Sequence, residues 1–421
     1  MNNFEKIEIL IKNKKYDEAK KKLDSLSSNE QNNPNFNFLK AIIFLKLSLF
    51  QDAIEIFNSL IYVNSNNATF YFYRGFTFSK LNKHNEAKDD FEKAINLNPN
   101  SAELYNHLAN VNYIAGENKN SIDNYMKSIE LNKNLKQSYV GLFNVLSQTE
   151  NIDKNKNKSE IIKSHYKLQD INFEYSSNKF IENKQIKELV SKINSLLPTD
   201  LNNIEFNVTQ TYREQKLPPH CYRHKEIFKL KEIIPKRCFA CYKIQIDVDN
   251  VVELIKLYII FDKINLKFQN YRKCMIELRP NISGQYKGII FSESIEEAKK
   301  IINEISEILE QNFNKEIKCN IKRGCSEYYE KYPHYNKLND QAMNYNLNWE
   351  VYEKEFDEKN PELTFIKNSY PTVTGVSLFD AIAIKNWIAF AKLIDDKSYK
   401  TISDVDHFSK YIEKKLIIKK L

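Results

Sequence analysis

Cysteine and histidine side chains cluster in one short part of the chain, just ahead of a predicted strand. Two residues separate Cys221 from His224, and two separate Cys238 from Cys241. Each pair can turn both side chains toward one ion, and zinc binds thiolate sulfur and imidazole nitrogen. The spacing therefore predicts a four-ligand tetrahedral zinc site, with His220 as an alternative nitrogen donor.

Two other interpretations of these residues stay open. Neighbouring cysteines can do thiol redox chemistry, but a redox C-x-x-C pair normally opens a helix, whose dipole lowers the thiol pKa, and this pair precedes a strand. Single cysteines also serve as small hydrophobic residues with no special role. In that case His224 lies on the surface of its helix.

The elements that must position this cluster follow it in the order β-α-β-β-α-β. Alternation of apolar and polar residues predicts the strands, and apolar faces of helical period predict the helices. The predicted strands are 242–247, 274–279, 286–292 and 316–323, and the predicted helices are 250–264 and 294–312. This order is that of the ferredoxin-like arrangement.

The connections also predict the direction of each strand. A crossover makes the first two strands parallel, the hairpin reverses the third, and the second crossover makes the fourth run with the third. The start of the first strand and the end of the fourth then share one edge, which brings Cys325 to Cys241. Cys325 is thus a spare ligand or a resolving thiol, whereas strand parity makes Cys274 and Cys319 small hydrophobic residues.

A basic and polar hairpin joins the second and third predicted strands. Arg279, Ser283 and Lys287 lie around it and form a candidate anion-binding site, because such a turn can hold a phosphate or carboxylate group. A solvated turn with no ligand is the alternative.

The third predicted strand loosely resembles the core of the RNA-recognition motif. It reads Lys287-Gly288-Ile289-Ile290-Phe291, a basic-Gly-aromatic run. The resemblance implies bases stacked on aromatic residues of the first and third strands. Phe291 fits one such position, whereas Tyr242 fits the other only if its strand slips by one residue.

The first third of the chain repeats itself every 34 residues. A small residue recurs at this spacing, and a bulky residue follows each one a helical turn later on the same face. These pairs are Ala19 with Leu23, Ala53 with Phe57, Ala87 with Phe91, and Ser121 with Tyr125. The pattern resembles the tetratricopeptide repeat over residues 1 to about 135. The resemblance implies stacked helix pairs covered by one further helix, which we predict at 136–147.

The same resemblance implies a groove, lined by the first helix of each pair, that binds a protein or peptide. An amide offers both a donor and an acceptor to an extended peptide backbone, so paired asparagines suit this role. The alternative is that the asparagines are ordinary surface residues and that the phenylalanines pack between repeats. The groove residues would be Phe72, Phe76, Asn106, Asn110 and Tyr113.

Composition excludes several classes of enzyme recognisable by motif. The 421 residues include only seven glycines, so G-x-G-x-x-G and the Walker phosphate loop are absent, and no nucleotide cofactor motif is present. G-x-S-x-G and H-E-x-x-H are absent too, and no catalytic residues can be named. The charge of +8 permits an anionic partner without requiring one. No secretory signal or membrane span is visible, which predicts a cytoplasmic protein.

The length predicts a multidomain chain. We expect an all-α helical-hairpin solenoid with its capping helix at 1–149, a linker at 150–158, a helical or irregular connecting region at 159–237, an α+β ferredoxin-like domain at 238–325 and a helical extension at 326–421. The extension contains an apolar helix over 377–395, expected to pack on the sheet.

The predicted function is an adaptor that binds a protein or peptide through the repeats. One alternative is an enzyme whose repeats recruit a protein substrate, which predicts a deep polar pocket around Arg279 and Cys241. A second alternative is a binder of RNA or single-stranded nucleic acid through the sheet. The patterns do not predict an oligomeric state.

Overall fold

The chain forms two compact units, Met1–Val145 and Leu146–Leu421. This computed structural model describes residues 2–26, 34–149, 159–171, 180–213, 221–279, 282, 284–325, 327–360, 372, 374–405 and 408–420. Within these ranges no helix is both long and apolar enough to span a bilayer.

The first unit consists of helical hairpins. Its helices are α1 (Asn3–Lys12), α2 (Tyr16–Asp24), α3 (Pro34–Lys46), α4 (Phe50–Val63), α5 (Ala68–Lys80), α6 (His84–Leu97), α7 (Ala102–Ile114), α8 (Asn118–Leu131) and α9 (Lys136–Leu146). From α3 to α8, each helix packs against the next one in the chain. All eight residues of the 34-residue pattern are buried, which confirms the predicted phase.

Helices α5 and α6 approach closely where Gly75 of α5 lies against Ala87 of α6, since both residues are small. A Cβ atom on Gly75 would lie 3.0 Å from Cβ of Asp90 and 3.2 Å from the carbonyl oxygen of Ala87. In the next pair a serine replaces the alanine, and the Ser121 hydroxyl donates to the carbonyl of Ala109 at 2.8 Å. The buried hydroxyl is therefore satisfied and is tolerated at this position.

Helix α9 covers the last hairpin. The hydroxyl of Ser138 donates to Oδ1 of Asn106 on α7 at 3.1 Å and lies 2.7 Å from the hydroxyl of Ser128 on α8. Leu142 and Phe143 on α9 are fully buried. These contacts fix α9 against both helices of the preceding pair.

The second unit is built on a five-stranded sheet in the order β1-β3-β4-β2-β5. Every neighbouring pair is antiparallel. The strands are β1 (Gln210–Arg213), β2 (Tyr242–Val248), β3 (Arg272–Ile276), β4 (Tyr286–Ser292) and β5 (Cys319–Arg323). Tyr242 at the start of β2 pairs with Arg323 at the end of β5, so these two chain segments share an edge.

Among the described residues of this unit, eight helices accompany the sheet. They are α10 (Glu160–Gln169), α11 (Asn183–Leu196), α12 (Cys221–Lys231), α13 (Val251–Lys263), α14 (Ile295–Phe313), α15 (Trp349–Lys359), α16 (Leu378–Leu393) and α17 (Lys410–Lys420). Helices α13 and α14 cover one face of the sheet. A Cβ atom on Gly288 would lie 2.5 Å from Cδ2 of Leu257, so glycine is required where α13 crosses β4.

Helix α16 packs on the same side, which confirms the predicted burial of this apolar helix. The indole N–H of Trp387 donates to the carbonyl of Thr209 at 2.9 Å, and the Asn386 amide donates to the carbonyl of Val208 at 2.7 Å. The helix therefore holds the segment that leads into β1.

A buried ion cluster joins β1, α13 and α16. Nε of Arg213 lies 2.6 Å from Oδ1 of Asp262, and its NH1 lies 3.2 Å from Oδ2 of Asp380. The guanidinium also donates to the hydroxyl of Tyr258 at 2.9 Å. Burial alone would lower the pKa of Arg213, but the two carboxylates raise it. The charge is therefore held in the interior.

Candidate functional site

The cysteine and histidine side chains predicted as metal ligands lie together at the edge where β2 begins. Cys221 and His224 occupy the first turn of α12. Cys238 lies in a 3-10 turn and Cys241 directly precedes β2. Sγ of Cys238 is 3.3 Å from Nδ1 of His224, so the two pairs of the motif meet.

Cys325 joins this cluster from the end of β5, as the strand directions predict. The N–H of Gly324 donates to the carbonyl of Cys241 at 2.8 Å. A Cβ atom on Gly324 would lie 2.4 Å from Sγ of Cys241, so only glycine allows this approach. A hydrogen bond between the thiols of Cys238 and Cys325 raises the pKa of Cys238 and lowers that of Cys325.

The cluster has the donors of a metal site without its arrangement. Among the described residues, no three or more His, Cys, Asp or Glu side chains are placed to hold a metal ion. His220 lies outside those residues. Burial raises the pKa of Cys221 to about 11 and that of Cys241 to about 12, so both are neutral thiols at neutral pH and weak nucleophiles. His224 is buried, so the interpretation that places it on a helix surface is wrong.

The two described residues of the predicted anion site converge on a carboxylate that the sequence did not single out. Nε of Arg279 donates to Glu277 at 2.8 Å, and Nζ of Lys287 lies 3.1 Å from the same side chain. Burial would raise the pKa of Glu277, but these two cations lower it to about 2. Ser283 lies outside the described residues. One carboxylate therefore balances part of the charge of these two cations.

A cavity of about 980 Å³ lies on the sheet face away from α13 and α14. Both Arg279 and Cys241 line it, as the enzyme alternative predicts. The described residues of its lining include seven lysine or arginine side chains and two glutamates, so this lining is strongly cationic.

Three lysines of this cavity have no carboxylate partner in the part of the chain that the structure describes. Lys243, Lys273 and Lys322 donate only to neutral oxygens, at 3.1, 3.1 and 3.2 Å, and form no ion pair with the described residues. Lys243 and Lys322 are directly opposite each other on β2 and β5. Burial and the charges of Lys243 and Arg279 lower the pKa of Lys273 to about 8.

Three aromatic rings form one corner of the cavity. The rings of Tyr212 and Tyr271 stack with centroids 5.8 Å apart, and the centroids of Tyr271 and Phe291 are 5.2 Å apart. Phe291 pairs with Lys243 across β4 and β2, whereas Tyr242 pairs with Ser292 and lies on the opposite face. The strand has not slipped, so Tyr242 does not provide the second stacking position of an RNA-recognition motif.

In the first unit, the predicted groove phenylalanines belong to a half-buried aromatic cluster. The imidazole of His107 on α7 lies 5.2 Å from the ring of Phe72, 5.4 Å from that of Phe76 and 5.6 Å from that of Phe91, between centroids. Burial, then the charge of Lys80, lowers the pKa of His107 to about 4. The cluster therefore keeps a neutral imidazole between successive helix pairs.

The predicted groove asparagines have different environments. Asn106 is buried and accepts the hydrogen bond from Ser138, so its side chain serves packing. Asn110 is exposed, accepts from the hydroxyl of Tyr125 at 2.8 Å and donates to the carbonyl of Asn106 at 2.8 Å. Tyr113 is buried. Asn110 is therefore the amide of this set that a partner can reach.

Comparison with known families shows which kind of repeat the helical hairpins of the first unit form. Two family models, both described as tetratricopeptide repeat, match residues 68–101 and 102–135. Residues 68–135 are tetratricopeptide repeats. They comprise α5 to α8, the helices that carry all of the predicted groove residues.

Several solved structures are similar to part of this chain. MamA from Desulfovibrio magneticus RS-1 is 17% identical, with 34% of this chain and 81% of that chain covered and a TM-score of 0.32. The first tetratricopeptide domain of Spaghetti (RPAP3), bound to an HSP90 peptide, is 17% identical, with 27% and 89% covered and a TM-score of 0.26. The Arabidopsis OM64 tetratricopeptide domain is 19% identical, with 27% and 93% covered and a TM-score of 0.26. No curated protein matches the chain.

Sequence reasoning recognised the tetratricopeptide repeats, and its enzyme alternative named two residues that line the cavity, but it missed the lysines that make the cavity cationic. The alternating patterns of β2 and β5 place Lys243 and Lys322 on the polar faces of their strands. That signal could have drawn attention to a charged sheet face. The pairing that sets the two lysines side by side, and the contribution of Tyr212 from β1, depend on strand register, which the patterns alone do not give.

Proposed function

We propose that the chain is an adaptor whose tetratricopeptide repeats bind an extended peptide segment of a protein partner. The observation that carries this proposal is the pair of contiguous repeats in α5 to α8. The small and bulky residues of the 34-residue pattern are buried in these helices, whereas Phe72 and Phe76 stay partly accessible and Asn110 is exposed. These side chains offer a peptide both apolar contact and an amide.

The bonds of Asn110 orient its amide for this role. One side-chain N–H is used by the carbonyl of Asn106 and one lone pair by the hydroxyl of Tyr125. An amide has two N–H donors and two lone pairs, so one donor and one acceptor site remain for a peptide backbone. Because the side chain is already held in place, little conformational entropy is lost on binding.

Replacing Asn110 with alanine tests this proposal. Peptides are selected from a random display library against the full chain, and their dissociation constants are measured by calorimetry. We expect N110A to weaken binding about fivefold to tenfold, the effect of about 1 kcal/mol from a lost hydrogen bond.

Asn124 provides the matched control. Its amide makes the same helical hydrogen bond, to the carbonyl of Asn120 at 2.9 Å, but it lies on α8, the second helix of its pair. N124A should bind like the unmodified chain. Peptides that bind N110A and F76A as tightly as the unmodified protein would contradict the assignment of this face.

We also propose zinc at the thiol edge of the second unit. Four thiols and a buried imidazole gathered at one edge support it, because thiolate sulfur and imidazole nitrogen are the ligands of structural zinc sites. The proposed ligands are Cys221, His224, Cys238 and Cys241, with Cys325 and His220 as alternates.

Metal analysis of the purified full chain tests the zinc proposal. We expect about one zinc ion per chain, and loss of most of it in C238S, because four-ligand sites bind weakly with a ligand removed. C319S is the control, since Cys319 is a half-buried thiol that bonds to the carbonyl of Ile317 instead. A chain without zinc, or C238S with a full complement, would remove this proposal.

Three further proposals concern the setting of these sites. The order and directions of β2 to β5 support a ferredoxin-like domain at 238–325, extended by β1. Free thiols at all six cysteines support a reducing, cytoplasmic location. The cavity that contains Arg279 and Cys241 supports, as a second candidate function, an enzyme whose repeats recruit a protein substrate.

A further inference from the structure

We propose that the cationic cavity of the second unit binds a small molecule that carries both a phosphate group and an aromatic ring, as nucleotides do. This site is separate from the peptide-binding face proposed for the repeats and does not depend on it. The arrangement of charge, aromatic rings and walls in the cavity supports the assignment.

The charge of the cavity favours an anionic ligand. Lys243 and Lys322 are direct cross-strand neighbours, and like charges in that position destabilise an antiparallel pair. Lys273 lies on the other side of β4, opposite Ile289, and faces the same space. None of the three has a carboxylate partner among the described residues. A phosphate group between them would supply the missing negative charge and accept several charge-assisted hydrogen bonds.

The aromatic corner selects a ligand with a ring. Phe291 is the cross-strand neighbour of Lys243, and Tyr212 is that of Lys273. Lys243 on β2 and Lys273 on β3 therefore each have an aromatic side chain beside them on the same face of the sheet. Stacking on such rings stabilises a heterocyclic base, while the lysines hold its phosphate group.

The walls favour a small molecule over a nucleic-acid strand. The cavity is also lined by Lys225 of α12, by Tyr411 of α17 and by Tyr329. Side chains from outside the sheet therefore form walls on several sides of the cavity. A volume of about 980 Å³ lies at the upper end of the range of about 300–1,000 Å³ that is usual for small-molecule sites. A single strand that crosses the sheet would need an open path at both ends.

Calorimetric titration of the full chain tests this proposal. The probes are the four ribonucleoside 5′-monophosphates and triphosphates, with pyrophosphate, adenosine and a 12-nucleotide uridine strand for comparison. We expect at least one nucleotide to bind with a dissociation constant below about 1 mM. Pyrophosphate and adenosine should each bind at least about tenfold more weakly, because each makes only half of the contacts.

Two variants locate the site. K243M should weaken nucleotide binding about tenfold or more, the effect of one lost charge-assisted hydrogen bond. F291L should weaken nucleotide binding but leave pyrophosphate binding unchanged. Both variants are first compared with the unmodified chain in thermal unfolding, so that a folding defect is recognised.

Lys256 is the matched control. Burial lowers its pKa, as it does that of Lys243, but Lys256 is buried on α13, on the covered side of the sheet. K256M should bind nucleotide normally. The proposal is overturned if no nucleotide binds, if folded K243M binds as well as the unmodified chain, or if pyrophosphate binds as tightly as the nucleotides. Binding of the uridine strand without binding of any mononucleotide would also overturn it, in favour of a nucleic-acid site.

Discussion

Replacing Arg213 with methionine is expected to lower the unfolding free energy of the second unit by about 3–5 kcal/mol. The side chains of Arg213, Asp262 and Asp380 are at most 7% exposed. Methionine fills similar volume but removes the arginine from two buried carboxylates. Asp262 keeps only Lys263, whose Nζ lies 3.6 Å from its Oδ2, so most of the desolvation is not compensated. The loss should therefore far exceed that of an ordinary surface substitution.

Tryptophan fluorescence in a urea titration measures this effect on the second unit alone. The chain has two tryptophans, Trp349 and Trp387, and both belong to that unit. Their signal therefore does not report on the repeats. The urea midpoint should fall clearly in R213M, with the slope of the transition unchanged if the unit still unfolds in one step.

Arg223 offers a matched control in the same unit. It also binds two carboxylates, Glu353 at 3.2 Å and Asp357 at 2.7 Å, but Asp357 is 35% exposed. Water can solvate the carboxylates when the arginine is removed, so R223M should cost about 1 kcal/mol. Equal losses in the two variants would show that burial of the Arg213 cluster is not what makes it important.

The repeats are expected to lose about 3 kcal/mol of stability between pH 6.5 and pH 4 through His107 alone. Burial and Lys80 lower the pKa of His107 from 6.5 to about 4 in the folded chain, against a smaller opposing effect of Glu103. The unfolded chain therefore binds the proton more readily over this range. The stabilising effect is complete above pH 6.5, is lost as the pH falls toward 4, and does not change further below that.

H107F removes this titration while keeping a ring among Phe72, Phe76 and Phe91. Circular dichroism in urea at several pH values gives the difference between the variant and the unmodified chain, in which contributions of other groups cancel. The advantage of H107F should grow by about 3 kcal/mol from pH 7 to pH 4. The transition followed by tryptophan fluorescence should stay the same, because His107 lies outside the second unit. A difference that is constant with pH would contradict the buried, neutral imidazole.

Local sequence patterns were sufficient to predict the helical repeats and the directions of the strands. The 34-residue spacing of small and bulky residues predicted the buried contacts of α1 to α8. The order of elements predicted the directions of β2 to β5 and the proximity of Cys241 and Cys325. In both cases the prediction used only periodicity and the kind of connection, crossover or hairpin, between successive strands.

Contacts between residues that are far apart in the sequence could not be predicted from local patterns. The strand predicted at 274–279 is Arg272–Ile276, because Arg272 and Lys273 already pair with Ile290 and Ile289 of β4. Glu277 and Arg279 form an ion pair with each other beyond its end. The ion pair between Arg213 and Asp380 spans 167 residues, and no periodicity reveals it. Asn106, predicted to face the groove, is buried because α9 reaches it with Ser138. The Arg213–Asp380 ion pair and the burial of Asn106 both depend on where a distant segment docks.

The two outermost strands of the sheet have a consequence for behaviour at high concentration. An antiparallel sheet with free borders can recruit strands from other chains and so seed aggregates. Here β1 has four residues and β5 has five, and β5 carries Lys322 and Arg323. Short, positively charged borders are poor templates for strand addition. The charges that equip this sheet for a ligand thus also discourage self-association of the sheet.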